Sequence, residues 1–117
     1  MNLSWRWRLF MANLDPVVGS EQAGTRPVLV VSEEGYNRRM PLVTILPLTS
    51  RKPGRNLYLN EVLLEAATGG LLLDSIVLVP QVRTISKRRL QTPLGFLELP
   101  DRQGQILEIL AKHLGMW

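Results

Sequence analysis

The stretch from Asn13 to Ser32 constrains this chain more than any other part of it. A polar loop carrying Asp15-Pro16, Gly19 and Gly24 opens directly into the apolar run Val28–Val31, which is bounded by Pro27 and Ser32. A short β-branched run between such punctuating residues reads as a buried strand. The loop before it therefore hangs from a rigid element, the arrangement in which loops most often carry function. Gly19 and Gly24 allow the loop to bend without a Cβ penalty. Arg26 stands at the junction, on the rim of the expected sheet. Its planar fork stays charged near neutral pH and matches two phosphate oxygens. The competing duty for Arg26 is an ion pair to Asp15 or Glu21 that fixes the loop.

With 117 residues, the chain is long enough for a core and short for two domains, so residues 1–117 are expected to form one unit. There is no cysteine and a single histidine, His113. A disulfide framework and a thiolate zinc site are thereby excluded, as is catalysis by a pair of histidines. The carboxylates are scattered, so no metal or other cofactor is expected. The formal charge of +4 suits a polyanionic partner as well as it suits plain solubility. No apolar run approaches the length of a membrane span, and the first ten residues are too broken for a secretory signal. A cytoplasmic protein is the expectation.

Alternation predicts strands over Trp5–Leu14, Arg26–Ser32, Leu42–Leu48, Asn56–Glu61, Ser75–Ile85 (bent at Pro80) and Leu94–Leu97. Glu33–Arg39 and Ser86–Leu90 each fit one helical turn, the second with a serine N-cap. Val62–Thr68 reads either as a short helix or as a loop ending in Gly69-Gly70. Pro100 opens a closing helix in which Ile106, Ile109, Leu110 and Leu114 form an apolar stripe. Many short strands and one helix point to a small, strongly curved sheet or barrel.

The run from Asn13 to Ser32 resembles the signature of the MazF/PemK family of toxin endoribonucleases. The likeness continues at Tyr36-Asn37-Arg38-Arg39, Pro47-Leu48-Thr49-Ser50, Gly70-Leu71-Leu72, Asp74-Ser75 and Gln81-Val82-Arg83-Thr84-Ile85. It implies a mainly β fold with a C-terminal helix: the small SH3-like β-barrel of the CcdB/MazF/Kid-like plasmid maintenance toxins, as a homodimer. It also implies metal-independent cleavage of single-stranded RNA to 2′,3′-cyclic phosphate and 5′-hydroxyl ends. The implied second partner is a cognate antitoxin with an acidic, disordered tail that folds on binding.

The resemblance implies that Arg26 and Thr49 are the catalytic pair, with Ser50 a neighbour for the same duty. It implies that the Ser20-Glu21-Gln22 loop closes over the substrate, and places Gln81 and Arg83 among the substrate contacts. The residues alone leave two readings for Glu21, proton acceptor or solvated carboxylate balancing Arg26. They leave two for Gln81 as well, a reader of base or ribose and an amide satisfying backbone groups. Arg38-Arg39, Arg51-Lys52 with Arg55, and Lys87-Arg88-Arg89 supply cations to follow a phosphate backbone. Tyr36 and Phe96 are candidates to stack on an unpaired base.

The pattern breaks at Trp7, where the family carries glycine, and at Arg8, where it carries an acid. That break motivates two alternatives, a non-catalytic toxin acting by protein binding in the manner of gyrase poisons and a decayed RNA-binding member.

Overall fold

In a computed structural model, which describes residues 4–116, seven antiparallel strands form one strongly bent sheet closed at one end by a helix. The strands are β1 (Arg8–Asn13), β2 (Thr25–Val30), β3 (Leu42–Ser50), β4 (Glu61–Leu64), β5 (Ser75–Leu78), β6 (Arg83–Ser86) and β7 (Leu90–Phe96). A short helix, α1 (Glu34–Arg39), links β2 to β3, and α2 (Pro100–His113) follows β7. The strand path runs β4-β5-β3-β2-β1-β7, with β6 also on β3.

Successive side chains of a strand point to opposite faces, and here both faces are covered. Leu9, Leu29, Leu46 and Leu48 pack with Val62, Val77 and Ile106 of α2 in one cluster. Phe10, Val28, Val30, Val43, Ile45 and Ile85 form the other. Burial on both faces is why Val28–Val31 reads as an unbroken apolar run. The Ile106 stripe of α2 seals the first cluster, with Ile109 and Leu110 half-buried beside it; Leu114, predicted on that stripe, is exposed just past the helix.

The expected barrel is an open, curved sheet, because the edges β4 and β7 are not paired. The turn that follows β4 packs its backbone closely on β7 instead. A 3-10 turn at Thr68–Gly70 lies against β7 so tightly that a Cβ on Gly70 would sit 2.2 Å from the Leu94 carbonyl oxygen. A Cβ on Gly95 would sit 2.8 Å from the Gly69 carbonyl oxygen. No side chain fits between these two backbones, which is the physical use of glycine there.

Several expected boundaries move. The first strand begins at Arg8, because Trp5–Arg8 turns on a hydrogen bond from the Arg8 N–H to the Trp5 carbonyl. Within that turn Trp7 has φ 69°, the left-handed region costly for a residue with a Cβ. Residues 56–60 are loop and turn, and the fourth strand is Glu61–Leu64, since pairing with β5 draws Val62 and Leu64 into the core. The long strand expected over Ser75–Ile85 is broken by a 3-10 turn at Val79–Gln81, with Pro80 inside it. The last strand starts at Leu90, carrying Pro93 on a sheet edge where its missing N–H does little harm. The two predicted helical turns are present, Glu33 capping α1 and the Ser86 hydroxyl accepting from the Arg88 N–H.

Candidate functional site

The site forms where β2 and β3 part. Their last paired rung is Val28 with Pro47, and just beyond it Arg26 and Thr49 line one groove, Arg26 reaching the carbonyl of Leu48. Pro27 and Pro47 carry no N–H, so the ladder loses donors at this point. Beyond Pro47, β3 pairs with β5 instead, Leu48 with Val77, Thr49 with Ile76 and Ser50 with Ser75. The diverging strands leave a groove of about 540 Å³. Arg26, Thr49, Ser50 and Lys52 supply its polar wall, and Met11, Leu48 and Leu71–Leu73 its apolar one.

Arg26 is held from behind. Its Nε donates to the Ala23 carbonyl at 2.7 Å and its Nη1 to the Leu48 carbonyl at 3.2 Å. With the Gln22 amide turned oxygen-first, Gln22 accepts from Nη1 at 2.5 Å and Nη2 at 3.0 Å. Among the described residues Arg26 forms no salt bridge, so neither Asp15 nor Glu21 pairs with it directly. Partial burial lowers its pKa, and the nearby Asp15 charge opposes that shift. The hydroxyls of Thr49 and Ser50 and the Lys52 ammonium have no hydrogen-bond partner among the described residues. The groove thus presents a guanidinium, an ammonium and two hydroxyls, a donor set suited to phosphate oxygens.

The other predicted site residues lie across the loop formed by residues 14–24. Glu21, Gln22, Gln81 and Arg83 line a second groove of about 300 Å³ together with Leu14, Pro47, Pro80 and Val82. Gln81 faces the loop backbone, its Oε1 accepting from the Gln22 N–H at 3.3 Å and its Nε2 donating to the Ser20 carbonyl at 3.5 Å. Arg83 donates to the Leu14 carbonyl at 2.9 Å. The Glu21 carboxylate accepts from the Val18 N–H at 2.6 Å, and Ser20 is exposed at the tip. Gln22 is the link between the two grooves.

The basic groups separate by what they touch. Arg38 pairs with Glu34 at 3.1 Å, and Lys87 donates to the Asn37 carbonyl with its ammonium 4.3 Å from the Trp5 ring centre. Arg51 Nε donates to the Arg55 carbonyl, and Arg55 grips Glu61. Lys52 alone of its triplet turns into the groove. Arg8 lies over the Phe96 and Phe10 rings, at 4.6 and 5.8 Å. Its register partner is Phe96 whereas that of Arg26, one strand over, is Ala12, so Arg8 sits about 13 Å along β1 from the level of Arg26. Tyr36 lies on α1, outside both grooves.

Sequence reasoning gave Lys52 no rank above its basic neighbours, carried Leu71 and Leu72 only within a family block with no site role, and did not name Leu73. Leu72 is 92% exposed, and an apolar side chain so placed beside a polar groove is a signal visible only in three dimensions.

Residues 5–114 match the family model described as a PemK-like, MazF-like toxin of type II toxin–antitoxin systems. The chain is 37% identical over 106 residues to endoribonuclease EndoA of Bacillus subtilis (strain 168), covering 89% of this chain and 90% of that protein. Among solved structures it resembles MazF from Deinococcus radiodurans, with a TM-score of 0.82, 32% identity, and 99% and 100% of the two chains covered. It also resembles a chain of the MazE–MazF complex from the same organism, with a TM-score of 0.74, 31% identity and 100% of both chains covered.

Proposed function

Because this chain belongs to the family of PemK-like, MazF-like toxins of type II toxin–antitoxin systems, we propose that it is a sequence-specific endoribonuclease that cuts single-stranded RNA without a metal. The observation that carries this reading is that Arg26 and Thr49 line the same groove. In the proposed reaction a ribose 2′-hydroxyl attacks the adjacent phosphorus and loses its proton. The bond from phosphorus to the 5′-oxygen breaks, and that oxygen takes up a proton. The products are a 2′,3′-cyclic phosphate and a 5′-hydroxyl.

Negative charge grows on the phosphoryl oxygens as the phosphorus becomes pentacoordinate. A cation already fixed there stabilises that charge without reorganising. Arg26 suits the role because Ala23, Leu48 and Gln22 hold its guanidinium in place. Thr49, with Ser50 beside it, orients the phosphate by hydrogen bonding. The loop carrying Ser20, Glu21 and Gln22 covers the strand, and the groove of Gln81 and Arg83 receives a flanking nucleotide.

The similarity to chains of MazE–MazF complexes supports two further parts of the reading. The protein acts as a homodimer, and a cognate antitoxin with an acidic, disordered tail neutralises it by occupying the cationic groove. RNA and antitoxin then compete for one surface.

The test is cleavage of a long single-stranded RNA in excess EDTA by the wild type and by Arg26→Ala, with end-group analysis. Discrete cuts with 5′-hydroxyl ends, lost in the variant, are the expected result. Intact RNA under all conditions would reject the reading and favour a toxin that acts by protein binding.

A further inference from the structure

Arg89 closes a basic run that reads in sequence as a solvated face or a phosphate track, yet its guanidinium turns onto the backbone of the loop beside the site. Its Nη1 donates to the Asn13 carbonyl at 3.2 Å and to the Asp15 carbonyl at 2.5 Å. Arg83 donates to the Leu14 carbonyl between them. Three consecutive carbonyls at the end of β1 are thus each capped by one of two guanidinium groups from the far end of the chain.

The same few residues close the neck of the loop. The Leu14 N–H donates to the Gly24 carbonyl at 3.0 Å, and the Gly24 N–H to Asp15 Oδ1 at 3.1 Å. One residue before Gly24, the Ala23 carbonyl receives Arg26 Nε. A continuous run of hydrogen bonds therefore leads from Arg89 through the neck to the Arg26 guanidinium. Hydrogen bonds from a charged donor are the stronger kind, and two such groups on one neck stiffen it where stiffness sets the aim of Arg26.

We infer that Arg89 is a positioning residue for cleavage, holding the neck of the 14–24 loop so that Arg26 stays aimed at the scissile phosphate. The inference rests on the nuclease reading above. It differs from a phosphate-contact role in a measurable way. A contact residue contributes to affinity and to its salt dependence, at about 0.7 of a log–log slope unit per phosphate on single strands. A positioning residue acts on turnover, where a displacement of about 1 Å costs up to ~100-fold.

The experiment compares the wild type with Arg89→Met and Arg89→Lys in steady-state cleavage of a short single-stranded RNA in EDTA. RNA affinity is measured over a salt series on the non-cleaving Arg26→Ala background. Amide hydrogen exchange at Leu14 and Gly24 reports the neck directly. We expect Arg89→Met to lower kcat by ~10- to 100-fold, with affinity within about twofold, an unchanged salt slope and faster exchange at both amides. Arg89→Lys, able to cap one carbonyl, restores part of kcat and guards against a Met variant that does not fold. Unchanged kcat, or weakened affinity with a flattened salt slope, would overturn the inference. If the wild type itself leaves RNA intact, the nuclease reading fails separately, and unchanged exchange at Leu14 and Gly24 would still reject the clamp.

Discussion

Arg26 on β2 and Thr49 on β3 line one groove just past the last paired rung of those strands, and Arg26 Nη1 donates to the carbonyl of Leu48, the residue before Thr49. Both reach the groove because β3 leaves β2 for β5 at that point, while Arg26 stays paired with Ala12 of β1 and Thr49 with Ile76 of β5. If both residues act on one phosphate, their substitutions should not add. Arg26→Ala is expected to lower kcat/KM by ~100- to 1,000-fold and Thr49→Val by ~10- to 100-fold. The double variant should fall little below Arg26→Ala alone. Kinetics on a single-site RNA in EDTA check this, and full additivity would place the two residues in separate tasks.

Lys52 is the cation of its triplet that remains available to a ligand. Lys52→Met should reduce the salt slope of RNA binding by about 0.7. Arg51→Met should leave the slope unchanged, since Arg51 is tied to the Arg55 carbonyl. Equal effects from both variants would mean that the basic turn acts only through its general field.

Arg55 holds both oxygens of Glu61, at 2.8 and 2.9 Å, and the Tyr58 N–H adds a third hydrogen bond. The Arg55 hydrogen bonds keep the Glu61 carboxyl below the ordinary carboxylate range, against the opposing effect of its burial. A carboxyl whose folded pKa is depressed contributes stability that is complete above its unfolded pKa and is lost as pH falls through the folded value. Thermal unfolding should therefore show a midpoint that drops as pH falls below the carboxylate range. Arg55→Met should lower the midpoint at pH 7 and flatten that acid-side fall. A Met variant with an unaltered pH profile would show that the pair carries no linkage.

Trp7 occupies a left-handed position, φ 69°, while its ring packs on the first core cluster. Trp7→Ala and Trp7→Gly both lose the ring, but only glycine relieves the backbone. The glycine variant should be more stable than the alanine variant by about 1–2 kcal/mol, measured by urea unfolding. Neither should alter the salt dependence of RNA binding, since Trp7 precedes β1 at the end remote from Arg26. The same distance removes the charge argument for a decayed site, because Arg8 is stacked on Phe96 instead of lying beside the groove.

Short-range chemistry was enough for much of this molecule. The run Val28–Val31, the helical turn over Glu33–Arg39, the Ser86 cap and the Ile106 stripe follow from periodicity and local hydrogen bonding within a few residues. Arg26 was legible for the same reason, as a cation pinned between a glycine-bearing loop and a strand. Val62–Thr68 was not, because four residues of apolar pattern do not distinguish a helix from an edge strand until β5 is there to pair with them. The family likeness rests on several ordered blocks of residues, and Arg26 and Thr49 within those blocks line the same groove.

Tertiary structure alone decided what those residues face. The register that pairs Val28 with Pro47, and so brings Arg26 and Thr49 to one groove, is one of several that the alternation of β2 and β3 would allow, and only the packed core selects it. Among the cations, Arg51, Arg83, Lys87 and Arg89 are engaged by backbone carbonyls, and a carbonyl leaves no mark in the sequence. Arg83 meets Leu14, and Arg89 meets Asn13 and Asp15, across 69 to 76 positions of chain. The Gly70 backbone meets Leu94 because the curved sheet brings the turn after β4 against β7. Local propensity is written residue by residue, whereas these contacts arise from the curvature of the whole sheet.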